Sequence, residues 1–312
     1  MPGPAVTVLV ATLGENPLLP EALRQAQEQA AALPAEVLLV VNAPEAAFPA
    51  AYRDAWRALA HRVLFEERSG KSHALNRGVA EARGAIVAFL DDDATPAPRW
   101  LESITAPLRA GASGVAGCGG RVLPVYPAGG PPEWYRRIVA RGPSTFLGPY
   151  HDLGPLPQEY RRGIFLAPFG ANCAYRRELL LQYPYRAELG PSRATGLRGG
   201  EDTEVACRLR AHGWRLLYCP DAVVYHPVEP ARMTRDYVAR GYYIQGVENV
   251  RMRRILGEVT IAAGYARVRL ARSWARWALA SLLRRRSRHR LAFRVQFHRG
   301  QIQEILRPGA RP

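Results

Sequence analysis

Within its first ninety residues the chain alternates runs suited to buried strands with segments of helical periodicity, and the last of those strands runs into three consecutive aspartates. Residues 6–13, VTVLVATL, are apolar or β-branched throughout, residues 37–41 repeat the pattern, and residues 86–90 are apolar without interruption. Strands that lack polar alternation are covered on both faces, as in a parallel sheet between two layers of helix. Helical stretches over 21–32, about 50–60 and, after a turn at 69–72, through residues 74–82 separate them, and residues 62–65 offer a short additional strand. The pattern predicts an α/β domain with a mostly parallel sheet sandwiched by helices. Such sheets gather ligands outside the carboxyl ends of their strands, which is where Asp91, Asp92 and Asp93 stand.

Beyond residue 110 the pattern weakens. Residues 111–170 are rich in Gly and Pro and read as loops with short strands. A strand is expected over 170–175, a helix from about 176, a long loop over 184–200 and a helix over 201–212. Two strands, 214–219 and 222–225, flank the turn Pro220-Asp221, and from about 233 onward the chain reads as helices. The expected organisation is a catalytic domain over 1–230 followed by a basic helical extension over 231–312.

The hydrophobic fraction of 48% with 22% charged residues excludes wholesale disorder. Four cysteines without a CxxC pair argue against a disulfide scaffold or a structural zinc site and for a reducing compartment. The absence of a long apolar run or a signal-like start makes a cytoplasmic protein the expectation. The net charge of +16 is lopsided: residues 231–312 hold 19 arginines against four acids, and the rest of the chain is close to neutral. Basic segments attract polyanions such as phospholipid headgroups, nucleic acid or phosphorylated substrates.

Three adjacent carboxylates at a strand end repel one another, by roughly 1 kcal/mol per pair even in water. A hard divalent cation such as Mg²⁺ or Mn²⁺ relieves that cost and leaves coordination sites for phosphate. A second acidic knot, Glu201-Asp202-Thr203-Glu204, follows two glycines at an expected helix start. Carboxylates in a first turn stabilise the helix dipole, but one of them can also take a proton from an attacking hydroxyl. His226 ends a strand and is a ligand type that completes a site opened by aspartates. Gly70-Lys71-Ser72 lacks the glycine of an ATPase phosphate loop, since Glu66 stands there, yet Lys71 at a helix start can hold a diphosphate.

Taken in order, residues 6–12, Gly70-Lys71-Ser72-His73-Ala74-Leu75-Asn76, residues 86–93, Gly170-Ala171-Asn172, Gly200 to Glu204 and Val223-Val224-Tyr225-His226 resemble the family 2 glycosyltransferases, inverting enzymes with a GT-A fold. The resemblance implies a metal-dependent enzyme that moves a sugar from a nucleotide-sugar, UDP- or dTDP-linked, to an acceptor hydroxyl of a glycan or lipid-linked molecule in cell-envelope synthesis. It implies that Ala11, Thr12, Asn42, Lys71, Asn76, Asp91 and Asp92 line the nucleotide-sugar pocket. Asn42 stands where the family often has an acidic residue. Asp93, Asp91 and His226 would hold Mn²⁺ or Mg²⁺, and Asp202, beside Glu201, would be the catalytic base.

Two other readings compete. Residues 89–95 also fit the hhDxDxT pattern of haloacid dehalogenase-type phosphatases, but those enzymes need a downstream lysine, and the only lysine, Lys71, lies upstream. The basic tail suggests a nucleic-acid-binding protein, although it carries no zinc-finger spacing or other recognised reader. Trp274, Trp277, Leu279, Leu282 and Leu283 ahead of the cluster at 284–290 fit an amphipathic helix on an anionic membrane surface better, with the enzyme at the inner face of the plasma membrane.

Overall fold

The computed structural model describes residues 5–139, 149–161, 166–191, 199–257, 261–285 and 287–307. The chain divides into two compact units, Met1–Val125 with Pro149–Pro227, and Tyr126–Gly148 with Val228–Pro312.

The first unit opens with β1 (Val6–Thr12), α1 (Leu19–Ala31), β2 (Ala35–Val41), α2 (Ala50–Leu59), β3 (Arg62–Phe65), α3 (Lys71–Glu81) and β4 (Ile86–Asp91). All strand pairings among these four are parallel, with β1 between β2 and β4. The apolar runs become fully covered strands: Val8, Val10, Leu38, Val40 and Ala88 are all buried. Each large aliphatic side chain buried in this way contributes roughly 1.5–3 kcal/mol. The short strand β5 (Thr95–Pro96) and α4 (Trp100–Arg109) follow the aspartates. Then come β6 (Val115–Val125), β7 (Gln158–Glu159), β8 (Asn172–Arg176), α6 (Arg177–Gln182), α7 (Glu201–Ala211) and β9 (Arg215–Pro227), with α5 (Glu133–Val139) in the second unit.

The nine strands form one sheet in the order β3-β2-β1-β4-β8-β6-β9-β5, with β7 on β9. Strand β8 runs antiparallel to both β4 and β6, while β6 and β9 are parallel. The sheet is thus mixed and largely parallel. Strand order reverses between β1 and β4, which opens a crevice at their carboxyl ends.

Two expectations need correction. An eleven-residue strand, β6, crosses the stretch read as loops. Its glycines mimic a loop, but they are there because neighbours press on the backbone: a Cβ at Gly117 would lie 2.3 Å from Tyr175, and one at Gly120 would lie 2.2 Å from the Ala222 carbonyl. The pair of strands expected around Pro220-Asp221 is one strand, β9, whose pairing with β6 jumps from Cys219 opposite Gly120 to Val223 opposite Arg121. The turn residues form an irregularity in a continuing strand rather than its end.

The second unit adds α8 (Arg235–Ile255), α9 (Ala263–Leu282) and α10 (Arg288–Ile305). Helices α8 and α10 cross at Gly246 and Gly300, where an added Cβ would sit 2.0 Å from a carbonyl oxygen of the other helix. No helix among the described residues is long and apolar enough to cross a membrane.

Candidate active site

The aspartates, Gly170, His226 and the start of α7 meet at the carboxyl edge of β1 and β4. Ala11 pairs with Asp91 across the two parallel strands, and Leu90 pairs with Asn172 at the start of the antiparallel β8. Strand β9 brings His226 to the same edge, because its parallel partner β6 runs in the direction of β4.

Asp91, Asp93 and His226 each turn a ligand atom into one cluster, all within 4.8 Å of one another. The His226 Nε2 lies 3.1 Å from an Asp93 oxygen and 3.7 Å from an Asp91 oxygen. Its Nδ1 is 3.1 Å from the Pro227 carbonyl, which can only accept, so Nδ1 carries a proton and Nε2 is the ring atom turned to the carboxylates. Burial opposes charge on His226, yet Asp91 and Asp93 overcome it and raise its pKa. Burial also works against ionised Asp91, but Lys71 and His226 hold its carboxyl far below the usual range. Two oxygen donors and one imidazole nitrogen in this arrangement fit a hard-to-borderline divalent cation.

Asp92 turns the other way. Its carboxylate accepts hydrogen bonds from the Thr12 hydroxyl and, at 3.2 Å, from Asn16. Burial raises its pKa despite the Thr12 bond. Thr12 in turn accepts from the Gly14 N–H at 2.9 Å, so β1, the loop after it and the aspartate turn are stitched together.

Lys71, the first residue of α3, places Nζ 2.9 Å from Asp91. It also faces Asp202 and Glu201 electrostatically, and Asp91 and Asp202 outweigh the desolvation that would otherwise neutralise it. Ala11, Lys71, Asp91, Gly170 and Asp202 line one small cavity, with Leu9 and Phe89 among the apolar residues behind it.

Asp202 sits in the first turn of α7 against Gly170, where an added Cβ would fall 2.1 Å from its carboxylate. Burial raises its pKa and the charge of Asp91 adds to this, while Lys71 and the Gly170 N–H pull it back. Glu201 is 2% exposed and one of its carboxylate oxygens has no hydrogen-bond partner. Burial, followed by the neighbouring Asp202, raises its pKa strongly. Glu204 faces elsewhere, pairing with Arg186 and Arg208 at 3.0 and 2.8 Å.

Two residues expected at the nucleotide are engaged with backbone. Both amide hydrogens of Asn42 go to the carbonyls of Glu66 and Arg68, and its oxygen accepts from the Gly70 N–H. Asn42 therefore fixes the loop that delivers Lys71. Asn76 makes a reciprocal pair with the backbone of Tyr185, at 2.7 and 2.9 Å. Asn16 and Gly170 were not among the site residues expected from the sequence. The position of Gly170 in the Gly170-Ala171-Asn172 motif was a usable signal, whereas Asn16 gave none. Asn172 of that motif is a fully buried hub: its amide donates to Arg121 and Ala222 carbonyls and accepts from the Trp100 indole.

A mixed sheet with an acidic, cation-suited cluster at the β1/β4 crevice defines an α/β protein with a candidate metal site. A family model described as Glycosyltransferase like family 2 matches residues 2–240, and the chain belongs to that family. Membership of a glycosyltransferase family displaces the phosphatase reading of residues 89–95. The chain is 28% identical over 189 residues to the succinoglycan biosynthesis protein ExoM of Rhizobium meliloti, which covers 59% of this chain and 53% of that one. It is 26% identical over 229 residues to the glucosyl-dolichyl phosphate glucuronosyltransferase of Haloferax volcanii, covering 68% and 66%. The chain thus spans from about half to about two thirds of these relatives. The crystal structure of GalNAc-T7 with UDP, GalNAc and Mn2+ superposes with a TM-score of 0.52 at 17% identity, over 80% of this chain and 49% of that one, a likeness of fold.

Proposed function

We propose that the enzyme transfers a sugar from a UDP- or dTDP-linked donor to an acceptor hydroxyl, with inversion, in the synthesis of a cell-envelope or lipid-linked glycan at the inner face of the plasma membrane. The observation that carries this reading is the pairing of two unlike acidic groups at one crevice. The Asp91/Asp93/His226 cluster is arranged to bind, and Asp202, sharing a small cavity with Lys71 and Asp91, is arranged to take a proton. The names of the relatives, one in succinoglycan biosynthesis and one acting on a dolichyl phosphate, support envelope and lipid-linked acceptors.

Asp91, Asp93 and His226 would hold Mn²⁺ or Mg²⁺, which as a Lewis acid offsets the charge that builds on a departing nucleoside diphosphate. Lys71 adds a fixed positive charge beside Asp91 and keeps that carboxylate ionised. Asp202, with its basicity raised by burial, accepts the proton of the acceptor hydroxyl as that oxygen attacks the anomeric carbon. Attack opposite the leaving group inverts the centre in one displacement and needs no covalent intermediate on the protein. Thr12 and Asn16 hold Asp92 in place for the ribose and donor sugar, and Asn42 and Asn76 set the frame around Lys71. The choice of sugar and acceptor belongs to the loops at 120–170 and 184–200, parts of which lie outside the described residues.

A thermal-shift panel of nucleotide-sugars with and without Mn²⁺ tests the reading, since a ligand of the folded state raises Tm by mass action. One donor should raise Tm only with the cation present. A panel in which no nucleotide-sugar shifts Tm in either condition contradicts it.

A further inference from the structure

We infer that the outward face of α9 is a docking surface for an anionic lipid bilayer, with the helix in the plane of the headgroups and Trp274, Leu279 and Leu282 inserted among the acyl chains. The inference rests on the membrane-side reading above and gives it a specific surface.

Helix α9 buries a narrow stripe of small residues, Ala266, Ser273 and Ala280, one every two turns. Its bulky apolar residues point outward: Val268 is 47% exposed, Trp274 and Leu279 are each 56% exposed, and Leu282 is 81% exposed. Of the fourteen exposed large apolar side chains among the described residues, six lie between Tyr265 and Leu283. A shallow groove runs along this face, lined by Arg267, Leu270, Ala271, Trp274, Ala275 and Ala278. The interior of the same helical unit holds a polar cluster beside its apolar residues. Gln301 bridges Asn249 at 2.8 Å and His298 at 3.0 Å, and Glu304 is buried against Arg251 and Arg254. A helix that buries only small residues and leaves its bulky apolar side chains outside has that apolar surface placed for something other than water.

Charge identifies the occupant. Between Glu258 and Glu304 the sequence holds eleven arginines and no acid. Four of them, Arg267, Arg269, Arg272 and Arg276, lie on α9 itself, and Arg284 and Arg285 follow at its end. An apolar protein partner would gain nothing from this border, whereas anionic headgroups neutralise it while the acyl chains take the apolar face. The same arginines prevent α9 from crossing the bilayer, and they leave it the geometry of an in-plane helix with tryptophan at headgroup depth.

Flotation of the full chain with vesicles of phosphatidylcholine, alone or mixed with phosphatidylglycerol, tests the inference. The protein should float with the mixed vesicles only and should be released by high salt. Trp274→Glu with Leu282→Glu should lower the bound fraction by about tenfold or more. Arg272→Glu and Arg276→Glu should each lower it by at least about fivefold, the effect of losing one surface arginine. Leu156→Glu, at an apolar side chain 72% exposed in the other unit, should bind as the parent does. Asp202→Asn should also float unchanged, so docking and catalysis fail separately. Equal flotation of the Trp274/Leu282 variant, equal binding to neutral vesicles, or no flotation overturns the inference. So does retention on RNA without flotation, or self-association that the same two substitutions relieve.

Discussion

The two acidic knots at the crevice are made of the same residue types and behave in opposite ways. At the end of β4 the carboxylates are provided with partners. Asp91 has Lys71 and His226, Asp93 has His226, and Asp92 has Thr12 and Asn16. Asp91 is consequently held ionised far below the usual range. At the start of α7, Asp202 and Glu201 are buried with little compensation, and both are pushed up. Environments that drive like groups apart assign them different work. On the proposed function, one knot would bind charge and the other would receive a proton.

The largest expected effect breaks the receiving side alone. Asp202→Asn should lower transfer by about a thousandfold, the scale of a lost general base, while donor affinity stays close to the parent value. Steady-state kinetics and calorimetric titration read the two quantities separately. In the parent, the acid limb of kcat should fall at a pH above the value near 4 of a free aspartate, because burial raises Asp202. A rate unchanged down to pH values below about 4 would remove Asp202 from the role.

The binding side breaks differently. Asp93→Ala or His226→Ala should weaken cation-dependent donor binding by about a hundredfold, the scale of several kcal/mol for a lost Lewis-acid contact. Gly170→Ala sharpens the comparison, since its methyl would displace the Asp202 carboxylate and nothing in the other knot. Transfer should fall by about tenfold, within the cost of an ångström-scale misplacement, with donor affinity retained.

The smallest effect is on stability. The folded pKa of Glu201 lies above its unfolded value near 4.3, so its contribution to stability is fully present below that value and is lost as pH rises through the folded pKa. Glu201→Gln should therefore stabilise the chain by about 1–2 kcal/mol, a few degrees of Tm, at about pH 9, and the gain should fade toward pH 5. Thermal unfolding followed by circular dichroism at the two pH values checks the sign.

The four parallel strands and the helices between them were legible because uninterrupted apolar runs have few other uses. Strand β6 was not, because Gly117, Gly119 and Gly120 write a loop's composition for a reason that lies in other strands, namely the side chains of Tyr175, Tyr160 and Asn172 against its backbone. The aspartate triplet and His226 could be singled out from strand ends alone. That Asp92 would part from its neighbours toward Asn16, or that Asn42 and Asn76 would spend their amides on backbone, depends on contacts between residues far apart in sequence, which no local pattern encodes. Family resemblance supplied the roles of both knots, and geometry supplied the partners that set their electrostatics.

Crystals of the chain grown with Mn²⁺ and a nucleoside diphosphate, measured for anomalous scattering at the manganese edge, put the central claim most directly to the test. The account predicts a single strong peak bounded by Asp91, Asp93 and His226, with Asp202 free of the ion. A peak on Asp202 and Glu201, or none at the β4 edge with the nucleotide bound, would contradict it.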